Sequence, residues 1–228
     1  MKIKNAKGRT DGNSGYARTL GNENLGQLIS RVQATVISNG TELERLIVAR
    51  CKTIDDIDNF ISQAEDGEVS DDVYLCVKRV FKKSKKYCTS DIRGIEPDLL
   101  IFIVEKKRIC KVVELKDGDA FDTKKARSER EALEKFATNF GAKIPFSTNY
   151  FICTFNQENK ETIYEGFKKE FDLEHILTGK ELCAILKITY DEIVKLRTND
   201  ATENFNYFID ELLAIPEVKC AIEKKMQK

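Results

Sequence analysis

The sequence predicts a mixed α/β protein: a central mixed sheet flanked by helices, with a C-terminal part that is helical throughout. Three observations carry this expectation. Leu99–Val104 is a continuous apolar run rich in β-branched residues, as in a strand buried on both faces, and Ile109–Lys116 returns as a second strand after the polar residues 105–108. Tyr150, Phe151, Ile152, Cys153, Thr154 and Phe155 form a third apolar run, separated from the second by a segment of helical period. Around these runs, apolar residues recur at helical spacing near both ends of the chain.

The elements follow in order. Residues 1–20 read as a flexible N-terminal arm, with Gly8, Gly12 and Gly15 beside Arg9 and Arg18. Leu25, Leu28, Ile29, Val32 and Val36 predict a helix over 22–37, which Ser38-Asn39-Gly40 is expected to break. Thr41 then starts a second helix, and Thr41-x-x-Glu44 has the form of a capping box. A third helix is expected near 53–64, and a fourth over 70–83 with Val73, Val77, Val80 and Phe81 on one stripe. Lys82, Lys83, Lys85 and Lys86 follow beside Phe81 and Tyr87. They read either as a solvated helix end or as a patch that contacts phosphates. Beyond the strand pair, the acidic, glycine-containing loop 117–122 turns into a helix over 123–140, with Ala126, Leu133, Phe136 and Phe140 on its apolar side. Arg127 and Arg130 in its early turns either pair with Glu131 and Glu134 or face a ligand. A helix near 159–171 follows the third strand. Helices are expected at 180–186, 191–196, 205–213 and 216–225. The domain division is an arm at 1–20, a core with N-terminal helices at 21–172, and a helical subdomain packed on that core at 173–228.

The chemistry is concentrated in Glu96-Pro97-Asp98 and Glu114-Leu115-Lys116, with fifteen residues between Asp98 and Glu114. Strand alternation puts Glu114 and Lys116 on one face of the second strand and Val113 and Leu115 on the other. An acid and an amine on one face can reach one phosphate and its metal. A magnesium-dependent phosphodiesterase needs this set: two acids for the ion and a lysine that steadies or deprotonates the attacking water. Register decides whether the groups meet. A four-residue loop at 105–108 sets Leu99 opposite Glu114; a three-residue loop sets Asp98 there; a bend or bulge before the strand is the other route.

These residues resemble the PD-(D/E)XK nuclease superfamily, which includes many type II restriction endonucleases; the resemblance covers about 41–155. It implies a restriction-endonuclease-like core, a four- to five-stranded sheet, and a strand–strand–helix–strand–helix order with the last strand parallel to the catalytic one. It implies catalytic Asp98, Glu114 and Lys116, and Mg2+ (with Mn2+ able to substitute) held by Asp98, Glu114 and the Leu115 backbone carbonyl. It also offers Glu44, or Glu42, as a further carboxylate of the metal site, an alternative to the capping role.

Composition narrows the class. The chain has 228 residues, 41% of them hydrophobic, enough for one sizeable core. Lys plus Arg equals Asp plus Glu at 38 each, so DNA affinity must come from local basic clusters such as 82–86. No apolar run approaches a membrane span, and residues 1–15 lack a secretory apolar region. Seven cysteines without paired spacing suit reduced thiols, and the expected location is the cytoplasm. His175 is the lone histidine, which argues against His-dependent nucleases and zinc hydrolases.

The resulting expectation is a Mg2+-dependent, site-specific double-strand DNA endonuclease of the type II restriction class, leaving 5′-phosphate and 3′-hydroxyl ends. It would act as a homodimer, with a cognate DNA methyltransferase as a functional partner. The alternatives are a structure-specific repair or junction nuclease and a non-catalytic DNA-binding module.

Overall fold

Gly15–Leu20 (α1) and Glu23–Val48 (α2) open the chain in the computed structural model, which describes residues 2–9, 14–118 and 123–227. Gly12 of the expected arm and residues 119–122 of the loop after Lys116 lie outside the described residues. α2 is unbroken, contrary to the stop expected at 38–40. Ser38 Oγ donates back to Ala34 O at 2.8 Å, so this polar side chain is satisfied inside the helix, and Gly40 carries only its propensity cost. Leu28, Thr35, Leu43 and Ile47 are all buried along it. Thr41 therefore lies in a helix interior, and the capping-box reading of Thr41 and Glu44 fails.

The chain divides into two compact units, one built from the residues up to Glu42 together with those from Asp191 onward, the other from Leu43–Tyr190. In the first, Arg31 donates to the carbonyls of Ile3 and Lys4 at 3.2 and 3.1 Å and to Tyr207 Oη at 2.7 Å, while Asn204 accepts from the Ile3 amide. Its other helices are Tyr190–Leu213, where two separate helices were expected, and Pro216–Met226.

The second unit holds the sheet. Lys52–Thr53 (β1) precedes Ile57–Asp66 (α3), whose N-cap Asp56 accepts from the Asn59 amide at 3.1 Å. Asp72–Val77 (β2) then replaces most of the helix expected over 70–83, and only Lys78–Phe81 (α4) is helical. The reason is a rival period: Val73, Leu75 and Val77 also alternate, and all six residues pair antiparallel with Leu99–Val104 (β3). Ile109–Lys116 (β4), Thr123–Gly141 (α5) and Ser147–Thr154 (β5) follow much as expected. Lys160–Gly166 (α6) stops early, where Lys168 and Lys169 turn through positive φ. Ile176–Thr178 (β6) interrupts the supposedly all-helical end, and Gly179–Leu186 (α7) begins on a capping box between Thr178 and Glu181. Gly179 is fixed by contact, since a Cβ there would lie 2.3 Å from Phe155 O.

Among the described residues the sheet has six strands in the order β1-β2-β3-β4-β5-β6. β2 and β4 flank β3 antiparallel; β1 lies parallel to β2, β5 to β4, and β6 to β5. This is the mixed, helix-flanked sheet the sequence predicts, widened by two strands too short to show a period. Phe136 and Phe140 of α5 pack on Phe81 with ring centroids 5.0 and 5.5 Å apart, and Phe60 of α3 packs on Phe102 at 5.2 Å. Cys110 and Cys153 are fully buried core residues. No helix among the described residues is long and apolar enough to cross a membrane.

Candidate active site

The β3–β4 ladder runs from Ile103↔Ile109 to Leu99↔Val113. One further step sets Asp98 opposite Glu114, the register of the three-residue loop. Pro97 restricts the backbone just before the strand. Asp98 is held at both ends: its carbonyl accepts from the Lys78 amide at 3.3 Å, and its Oδ2 accepts from the Leu115 amide at 3.0 Å. Leu115 is buried, and its neighbours Glu114 and Lys116 share the opposite face. The end of β4 is tied to β5, since Lys116 O accepts from the Phe155 amide at 3.0 Å.

Lys116 Nζ donates to Glu114 Oε1 at 2.5 Å and to Glu129 Oε1 at 3.4 Å. Burial, and then the charge of Asp98, push the Glu114 carboxyl up to about 8, against the opposing pull of Lys116. Burial works against the Lys116 ammonium, but Glu114, Glu129 and Asp98 outweigh it and raise its pKa. Lys116 is therefore a cation and a hydrogen-bond donor at neutral pH. Glu44 joins the same field: burial first, and Asp98 second, hold its carboxyl above the usual range, with Lys78 and Arg79 opposing.

The basic residues fare differently. Lys82 Nζ pairs with Glu96 Oε2 at 2.9 Å, and Lys78 stands 3.9 Å from the same oxygen. The amides of Lys85 and Lys86 donate to Asp58 Oδ2 at 2.9 and 3.3 Å, and Ser84 also bonds Asp58. The stretch 82–86 is thus a braced loop in which Lys82, Lys83, Lys85 and Lys86 are all exposed. Arg127 pairs with Glu131 at 3.0 Å and Arg130 with Glu134 at 2.8 Å, the intrahelical alternative. His175 packs structurally: its Nδ1 lies 2.8 Å from Tyr150 O and its ring stacks on Tyr150 at 4.1 Å.

Glu129, Lys78 and Arg79 stand in the electrostatic neighbourhood of the acids without having been singled out as site residues. Glu129 had a signal in the sequence, an acid on the apolar stripe of its helix. Lys78 and Arg79 had none beyond charge, because the helix expected over 70–83 hid the strand end that places them.

The donor set fits a hard divalent cation. The charge of Asp98 helps hold the Glu114 carboxyl above its usual range, and a cation between the two would relieve that repulsion. Among the described residues no group of three His, Cys, Asp or Glu side chains converges. Two carboxylates, with water and phosphate completing the sphere, are the usual protein contribution to Mg2+.

No protein-family model matches the chain, and no solved structure matches it. The chain belongs to the type II restriction enzymes, which are site-specific DNA endonucleases. The relative that shows this is the type II restriction enzyme HhaII of Haemophilus parahaemolyticus, 64% identical over 224 residues that make up 98% of this chain and 98% of that protein.

Proposed function

We propose that the chain cuts double-stranded DNA by metal-dependent hydrolysis at Asp98, Glu114 and Lys116, as a member of the PD-(D/E)XK superfamily. The observation that carries this reading is the Leu115 amide donating to Asp98 Oδ2 at 3.0 Å, which ties the first acid to the strand bearing the second acid and the lysine. Asp98, Glu114 and the Leu115 carbonyl would hold Mg2+, or Mn2+ in its place. When bound, the cation supplies charge neutralisation at the phosphate and lowers the pKa of adjacent water.

The raised pKa of Lys116 suits a donor rather than a base, so Lys116 orients the attacking water toward phosphorus. Glu44, held near Asp98, completes the acidic set or orients Lys116. Attack is in line; the bond from phosphorus to the 3′ oxygen breaks, leaving 5′-phosphate and 3′-hydroxyl. The exposed Lys82, Lys83, Lys85 and Lys86 contact backbone phosphates from a loop braced by Asp58 and Glu96. Arg127 and Arg130 reach DNA by exchanging their glutamate partners for phosphate.

Cutting both strands suits a two-fold homodimer. A cell carrying such an enzyme in its cytoplasm needs a methyltransferase of the same specificity, a functional partner rather than a bound one. Digestion of phage-length DNA tests the chemistry. Fragments should rejoin with ligase directly, and a chelator should stop cutting; ends that ligate only after repair, or cutting in chelator, would contradict the reading.

A further inference from the structure

Glu129 sits where its helix calls for an apolar residue. The buried side chains of α5 are Ala126, Leu133, Phe136, Ala137 and Phe140, and position 129 lies three residues after the first and four before the second. It continues their stripe. Its side chain is 26% exposed, against 21% for Lys116 and 13% for Glu114. A carboxylate on a core stripe is costly to desolvate, and a leucine there would pack more favourably.

The geometry points to what the acid is for. One ammonium is shared unequally, with Glu114 at 2.5 Å and Glu129 at 3.4 Å. Glu114 cannot serve both that ammonium and a divalent cation at full strength. When a cation draws on Glu114, Glu129 is already within reach of the same half-buried ammonium and can strengthen its hold on it. We propose that Glu129 is a positioning residue, holding Lys116 beside the scissile phosphate while Glu114 is engaged by the metal. This rests on the proposed metal-dependent mechanism at Asp98, Glu114 and Lys116.

The test compares E129Q, E129L and E129D with the wild type. The readouts are cleavage of phage-length DNA under enzyme excess, calorimetric titration of Mn2+ into the DNA-free enzyme, and the melting temperature. E129Q and E129L should cut roughly 10–100-fold more slowly and bind Mn2+ more weakly by a similar factor, the range for removal of an outer partner at a metal site. E129L should melt no lower than the wild type, and E129D should recover most of the rate. Rates and Mn2+ affinities within about twofold of wild type would overturn the inference, as would losses that follow a fall in melting temperature in both variants. D98A separates the two levels. An inactive D98A beside an unaffected E129Q removes the part assigned to Glu129 and leaves the mechanism standing. A fully active D98A removes both.

Discussion

At Glu114 the proposed role as a metal ligand opposes stability. Its carboxyl is pushed from about 4.5 to about 8, so between those values the folded chain holds a proton that the unfolded chain has lost. A folded pKa above the unfolded one gives stability that is fully present below the unfolded value and lost as pH rises through the folded one. E114Q removes that liability, because its side chain never ionises. Without metal, E114Q should melt within error of the wild type near pH 5 and several degrees above it near pH 9, on the scale of about 2–4 °C per kcal/mol relieved. A variant that melts below the wild type near pH 9 would contradict this. At this scale the sequence was informative for groups on strands. Strand alternation alone pairs Glu114 with Lys116, and the structure adds Asp98 through register. Glu129 was harder to read, since an acid on an amphipathic helix looks like solvated surface until its phase against Leu133 and Phe136 is followed.

The elements show where period and punctuation compete. Ser38-Asn39-Gly40 carries the composition of a break, yet α2 passes through it, because Leu43 and Ile47 continue its buried side and Ser38 bonds within the helix. A glycine inside a helix has a cost without a role unless something occupies the space of its missing side chain, and a Cβ at Gly40 would meet nothing within 4 Å. G40A should therefore stabilise the protein by about 0.5–1 kcal/mol, read as a higher urea midpoint with unchanged slope. A lower midpoint would mean that the helix yields at this point. β2 is the opposite case, where Val73 and Val77 satisfy both periods and pairing with β3 decides between them. β1 and β6 have two and three residues, too few to carry any period; neighbouring strands specify them.

At the scale of the molecule, the mixed sheet was legible because its three central strands are long and apolar, whereas its width depends on edge strands that only tertiary pairing defines. The charge balance, 38 against 38, means that DNA is met by local features rather than by a general field. The recognition sequence lies in side chains that reach base edges, and spacing along the chain does not encode those. The central claim is that Asp98 and Lys116, brought together by β3, β4 and the Leu115 amide, are the cutting centre. The direct measurement is digestion of phage-length DNA with Mg2+ by wild type, D98A and K116A side by side. Wild type should give discrete fragments, and both variants should slow by about a hundredfold or more, the scale for removing one preorganised charge from an active centre. The same fragments appearing at the wild-type rate from either variant would contradict the account.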